Sequence, residues 1–172
     1  MELRRYQIDI ANQASKKVKE YGFCYIAAEV RTGKTLMALK TAELLGCKSV
    51  LFLTKKKAIK SIETDYANFG FQYKLIVVNW ENLHNVKDKF DLIICDEAHT
   101  MGGFPKIPQR VNLLRIKFYD VPKILLSGTP HPESYSQIFH QLYVCPGNPF
   151  IGMSFYQWAK IYVNVQSVNY GY

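Results

Sequence analysis

The chain has 172 residues, 48% of them apolar and 21% charged. That length suits one domain of ordinary size and is too short for two full lobes. The composition is globular and excludes wholesale disorder. The net charge of +8 is uneven: residues 1–90 hold 16 basic and 9 acidic side chains, and residues 91–172 hold 6 and 5. A basic first half fits a polyanionic partner, nucleotide or nucleic acid, and equally a solvated basic surface. Cys24, Cys47, Cys95 and Cys145 form no C-x-x-C pair, and three sit in apolar runs. A disulfide framework or a zinc site is therefore not expected, and a reducing cytoplasmic compartment is. No apolar run approaches the roughly 18 residues that a membrane span needs. The N-terminus lacks the apolar stretch of a signal peptide.

In chain order the pattern alternates between helix and strand. Ile8, Ile10, Ala11, Ala14 and Val18 lie near helical spacing, with lysines opposite, so residues 8–20 are predicted helical. Residues 23–28 are a short apolar run. Residues 35–45 contain good helix formers and stop at Gly46. Residues 49–54 are a second apolar run, followed by a predicted helix over residues 55–68. Residues 74–78, 91–95 and 121–126 are further short apolar runs, and residues 134–143 and 154–162 are predicted helices. Strands that are apolar throughout are buried on both faces, and helices between them imply right-handed crossovers. The expected fold class is therefore α/β, with a parallel sheet of about five strands between helical layers. The segment 100–108 is the internal stretch richest in Gly and Pro and is expected to be a loop.

Two segments carry chemistry. Ala28-Glu-Val-Arg31-Thr32-Gly33-Lys34-Thr35 matches the phosphate-loop pattern G-x-x-x-x-G-K-[ST], with Ala28 in place of the first glycine. A strand-to-helix turn aims backbone N–H groups and a helix dipole at phosphate oxygens. Gly33 lets the backbone approach, Lys34 reaches the β- and γ-phosphates, and the Thr35 hydroxyl can ligate Mg²⁺. The second segment, Asp91-Leu-Ile-Ile-Cys-Asp96-Glu97-Ala-His99, is an apolar strand ending in two acids. Acids there sit at the carboxyl edge of the sheet, where the phosphate loop also lies. Asp96 can hold Mg²⁺, and Glu97 can orient or deprotonate an attacking water.

These segments together resemble motifs I and II of superfamily 2 helicases and translocases, the second in its DEAH-box form. Leu126-Ser127-Gly128-Thr129-Pro130 is similar to motif III, which in that family couples ATP hydrolysis to nucleic-acid binding. Leu3-Arg-Arg-Tyr6-Gln7 resembles the upstream element whose glutamine reads adenine. Residues 50–54 resemble motif Ia, and Val77-Val-Asn79-Trp80-Glu81-Asn-Leu83 resembles motif Ib. Arg31 and the segment 152–162 favour the SNF2-like branch, particularly its small phage-type members. The resemblance covers residues 3 to about 162.

The resemblance implies a P-loop NTPase fold of the RecA-like kind, a three-layer sandwich with a mostly parallel central sheet. Residues 1–150 would be the N-terminal ATP-binding lobe. Residues 151–172 would be a helix and the start of a connector to a second RecA-like lobe, supplied in cis or in trans. ATP and Mg²⁺ are the implied cofactors. Glu97, Asp96 and Lys34 are the implied catalytic residues, with Gln7, Arg31, Thr32, Gly33, Lys34 and Thr35 on the nucleotide and Thr35 and Asp96 on the metal. His99, Ser127 and Thr129 would couple the site to nucleic acid, which is expected to be DNA, with RNA as the other candidate. Lys55, Lys56, Asn79 and Trp80 are the candidate nucleic-acid contacts. A cytoplasmic location is expected, in the host if the protein is viral.

Several of these residues have a second reading from chemistry alone. The Lys55-Lys56-Lys57-x-x-Lys60 cluster suits a phosphate backbone and also a solvated helix face. Trp80 could stack on a base, although packing is the simpler role. Ser127 and Thr129 could bond the acid or the histidine, or only shape the turn before Pro130. Gln7 could serve a helix start as well as adenine. His84, His131 and His140 have no metal-ligand spacing. Arg110 and Arg115 sit in no motif that would make either a substitute for the arginines of a second lobe. The activities consistent with the sequence are a DNA-dependent ATPase lobe weakly active alone, a nucleic-acid-binding module with a vestigial phosphate loop, and a regulatory switch. The charge-free tail over residues 161–172 fits the start of a connector better than a free end.

Overall fold

The computed structural model describes residues 2–103, 106–131 and 135–164. The central sheet has five strands: β1 (Phe23–Ala27), β2 (Ser49–Thr54), β3 (Lys74–Asn79), β4 (Leu92–Cys95) and β5 (Lys123–Ser127). All neighbouring pairs are parallel, in the order β1-β5-β4-β2-β3. The helices are α1 (Arg5–Tyr21), α2 (Lys34–Leu44), α3 (Ile59–Asn68), α4 (Gln109–Phe118), α5 (Gln137–Tyr143) and α6 (Phe155–Tyr162). Among the described residues, no helix is long and apolar enough to cross a membrane.

The period of two along each strand sorts its side chains into two cores. Val50, Phe52, Leu92, Ile94, Ile124 and Leu126 face one side, where they meet Ala14 and Val18 of α1, Met37 and Leu39 of α2 and Ile62 of α3. Leu51, Leu53, Ile93, Cys95 and Leu125 face the other, against Leu83, Met101, and Val111 and Leu114 of α4. Helices on both faces of a buried parallel sheet make three layers. A third apolar cluster, Phe139, Phe155, Trp158 and Ala159, joins α5 to α6.

The predicted elements recur with shifts at their ends. The first helix spans Arg5–Tyr21 and stops at Gly22, whose φ of 75° is left-handed. The helix predicted over residues 55–68 opens as a short 3-10 turn, Lys56–Ala58, before α3. The helix predicted over residues 134–143 begins at Gln137, after a turn at Tyr135 and Ser136, and residue 134 lies outside the described residues. From residue 165 onward the expected connector also lies outside it. Helix α4 has no counterpart in the sequence reading. Its buried stripe of Val111, Leu114 and Phe118 is blurred by Leu113 and by Ile116, which is 72% exposed.

Strand order places the functional loops. The chain leaves β1 at one edge, crosses to β2 and β3, then returns to insert β4 and β5 in the gap. The carboxyl ends of β1, β5 and β4 therefore lie side by side, although the last residues of these strands are Ala27, Ser127 and Cys95, far apart in sequence. Lys123, the first residue of β5, is fully buried, and its ammonium donates to the carbonyls of Phe118 (2.7 Å), Tyr119 (3.2 Å) and Val121 (2.8 Å) at the end of α4. Burial pushes its pKa below the ordinary lysine value. Lys123→Met removes the donor from three main-chain acceptors. The expected result is a loss of about 2–3 kcal/mol in urea unfolding, and an unchanged midpoint would show that water replaces the ammonium there.

Candidate functional site

The loop between β1 and α2 turns through two left-handed residues, Arg31 (φ 65°) and Gly33 (φ 81°). Arg31 is one of two non-glycine residues in that region among those described, and such conformations cluster at functional sites. The left-handed φ of Gly33 suits glycine, and a Cβ there would push the Gln7 side-chain amide out of its place. Gln7 is 6% exposed. Its Oε1 accepts from the Arg4 N–H (2.9 Å), and its Nε2 donates to the Thr32 carbonyl (3.2 Å). The Tyr6 hydroxyl donates to the same carbonyl (2.9 Å), so α1 holds the crest of the loop from below. The Thr32 hydroxyl donates to the Glu29 carbonyl (2.8 Å).

Lys34 opens α2 and folds back over this loop. Its Nζ donates to the carbonyls of Ala28 (2.7 Å) and Glu29 (2.8 Å). A Cβ on Gly128, just beyond β5, would lie 3.9 Å from the same Nζ, so the end of β5 passes over the lysine. The ammonium thus sits in a concave turn at a helix N-terminus, held by neutral carbonyls that an anion can displace.

The acids follow β4. The Asp96 N–H donates to the Leu53 carbonyl (2.9 Å), and its Oδ2 accepts from the Thr54 hydroxyl (2.7 Å). Burial holds the Asp96 carboxyl above the ordinary carboxylate range. The Thr54 hydrogen bond pulls the other way, and the Glu97 charge adds to the rise. Glu97 has a φ of 53° and heads the 3-10 turn Ala98–Met101. Its Oε2 lies 3.3 Å from His99 Nδ1, and its Oε1 lies 4.0 Å from Lys55 Nζ. His99 Nδ1 is also 3.0 Å from Ser127 Oγ, which accepts from the Thr129 N–H (3.1 Å). An Nδ1 lone pair would face the Glu97 carboxylate, so the proton is assigned to Nδ1 and shared between Glu97 and Ser127. Glu97, His99, Ser127 and Thr129, drawn from two separate loops, form one connected chain of polar contacts.

The donor set suits a hydrated divalent cation and phosphate. Among the described residues, no three His, Cys, Asp or Glu side chains cluster as a cage. Mg²⁺ is usually held through one or two carboxylates plus phosphate oxygens and water. Asp96, whose raised pKa reflects a buried acid short of positive charge, together with the Thr35 hydroxyl at the start of α2, fits that pattern.

Beyond the ends of β2 and β3 lies a groove of about 400 Å³, lined among others by Lys55, Lys56, Asn79 and Arg110. Lys55 and Lys56 are exposed. Trp80 is 3% exposed and belongs to the core beneath α4, so its indole packs and has no open face for a base. Stacking by Trp80 is thereby corrected to packing. Three residues make contacts that the sequence does not show. Thr54 is visible there as the end of an apolar run and of the segment resembling motif Ia, without its bond to Asp96. Arg110 lies in the helix that the pattern hides. Gln141 is fully buried in α5, accepts from the Tyr25 hydroxyl (2.7 Å) and donates to the Pro130 carbonyl (2.8 Å), tying down the loop after β5.

No family model and no curated protein matches the sequence. Solved structures do match the fold. The Sulfolobus solfataricus SWI2/SNF2 ATPase core in complex with dsDNA superposes with a TM-score of 0.75 at 17% identity, over 93% of this chain and 38% of that one. The fold is RecA-like. The Sulfolobus solfataricus SWI2/SNF2 ATPase core domain gives 0.73 at 16% identity, again over 93% and 38%. The Pyrococcus furiosus Hef helicase domain gives 0.66 at 19%, over 83% of this chain and 36% of that one. This RecA-like chain thus spans less than two fifths of each of these neighbours.

Within the RecA-like site, Thr54 is the hydroxyl that holds the buried acid. Thr54→Val should raise the Asp96 pKa further and cost about 1–2 kcal/mol of stability at neutral pH. Chemical denaturation and carboxyl-carbon NMR titration check this; an Asp96 titration identical to that of the parent would show that the hydroxyl does not tune the acid.

Proposed function

We propose that the chain is the ATP-binding lobe of an SNF2-like superfamily 2 DNA-dependent ATPase or translocase. The observation that carries this reading is the convergence, at one edge of a RecA-like sheet, of the Lys34 cradle, the Asp96–Glu97 pair and the Glu97–His99–Ser127 contacts. Motif order along the chain and the basic first half support it further.

Each residue then has a role that its position allows. The backbone of residues 31–35 and the Lys34 ammonium bind the β- and γ-phosphates, and Gln7 and Arg31 flank the nucleotide. Thr35 and Asp96 hold Mg²⁺, which when bound neutralises charge on the phosphate oxygens. Glu97 orients the attacking water and accepts its proton. His99 and Ser127, with the Thr129 main chain, connect Glu97 to the end of β5, so a shift of that loop on nucleic-acid binding moves the base. Lys55, Lys56 and Asn79 are the proposed contacts to a DNA backbone. A second RecA-like lobe, in cis or in trans, would supply the transition-state arginines, which are worth roughly 10³–10⁵ in rate in related phosphoryl transfer. The extra length of the neighbouring structures supports that requirement.

Lys34→Ala should abolish binding of a fluorescent ATP analogue in the presence of Mg²⁺. Glu97→Gln should keep that binding and remove the hydrolysis that remains. Unchanged hydrolysis in Glu97→Gln would exclude Glu97 as the base. Salt-sensitive DNA binding by the parent chain without nucleotide binding would instead identify a nucleic-acid-binding module with an idle phosphate loop. Turnover of several per second by the 172-residue chain alone, stimulated by DNA, would refute the need for a second lobe.

A further inference from the structure

Arg110, the second residue of α4, belongs to no motif in the sequence, yet it faces the groove beyond β2 and β3. One guanidinium nitrogen donates to the Thr100 carbonyl (2.9 Å), and the guanidinium carbon lies 5.8 Å from the centre of the Trp80 ring. These two contacts aim the fork without neutralising it. Among the described residues, neither Arg110 nor Lys56 forms an ion pair with a carboxylate. The groove lining holds three cations, Lys55, Lys56 and Arg110, against one acid, Glu81.

An anion with several oxygens fits this lining. A guanidinium has five donors in a fixed fork, and one hydrogen bond to Thr100 leaves most of them for two oxygens of one phosphate. The groove opens at the ends of β2 and β3, whereas the phosphate loop lies at the end of β1, on the far side of β5 and β4. The groove therefore needs a phosphate other than those at Lys34. We propose that Arg110 is a phosphodiester-binding residue that seats one backbone phosphate of duplex DNA together with Lys55 and Lys56. This deepens, and rests on, the DNA-dependent reading above. The Thr100 bond makes the seat pre-organised, because the long side chain is already ordered before the phosphate arrives.

The test uses the full chain, a fluorescein-labelled duplex and anisotropy titrations between about 50 and 200 mM NaCl. Arg110→Gln should flatten the slope of log K against log salt by about one unit, and Arg110→Lys should recover most of it. Binding of the fluorescent ATP analogue should be unchanged in both. If the parent binds the duplex with a steep salt dependence and Arg110→Gln keeps the same slope, the assignment of Arg110 is overturned and the ATPase-lobe reading stands. If the parent does not bind duplex at all, both the assignment and the DNA-dependent reading are overturned. Should Arg110→Gln fail to fold, the parent chain carries the test through phenylglyoxal, which modifies free guanidinium groups. Mass spectrometry should find Arg110 protected by saturating duplex and not by ATP, and modification at the same rate with and without duplex overturns the proposal.

Discussion

Everything in this site depends on parallel pairing of β5 between β1 and β4. Each parallel strand ends at the same edge as its neighbours, so pairing alone gathers the loops that follow them. The register is set by buried residues on both faces: Ile26 beside Leu126 on the side of α1 and α2, and Cys95 beside Leu125 on the side of α4. A slip of one residue would exchange the two cores, because Ile124 and Leu126, which pack on the side of α1 and α2, would turn toward α4. It would also separate Ala28 from Ser127, whose main-chain bond (3.2 Å) sets the phosphate loop against the end of β5. Core packing thus fixes the distances among Lys34, Asp96 and Ser127 before any side-chain contact among them forms.

Lys34 and Asp96, two opposite charges left at that edge, are held by neutral groups rather than by each other. Lys34 bonds to carbonyls of its own loop, and Asp96 bonds to a threonine hydroxyl. The lysine lowers the Asp96 pKa only as the last of several influences, behind burial. A direct Lys34–Asp96 ion pair would have closed the site with its charges satisfied internally. Neutral partners keep both groups in place at modest cost and leave each free to exchange them, which is what a site for a metal-bound phosphate requires.

The sheet is legible in the sequence because buried parallel strands read as unbroken apolar runs, and all five appear within a few residues of their predicted ends. The phosphate loop and acid pair are legible because their chemistry demands particular residue types in local order. What stays hidden is set by tertiary contact. Helix α4 carries two apolar residues off its buried stripe that erase the pattern, and Arg110, which sits in no motif, is left without a position in the fold. Thr32, which accepts from Gln7, and Tyr25, which donates to Gln141, lie 25 and 116 residues from them, where no local pattern reaches. Trp80 has two readings in the sequence, a nucleic-acid contact from its motif position and packing from its chemistry, and the 3-10 turn after β3 points the indole into the core.

Glu97 has two neighbours that could orient it, and they are unequal. Lys55 stands 4.0 Å away, and the side chains of the pair are 49% and 39% exposed. Exposed ion pairs of that kind contribute about 0–1 kcal/mol and exchange readily with water or salt. His99 is closer at 3.3 Å, is 22% exposed, and is itself braced by Ser127, which is 1% exposed. The left-handed backbone at Glu97 starts the turn that brings His99 back toward it. The carboxylate is therefore positioned from the end of β5 through His99, while Lys55 is a loose partner that also lines the groove. An anion entering the groove would compete for Lys55 without disturbing the brace, so the two sites share one lysine but not one scaffold.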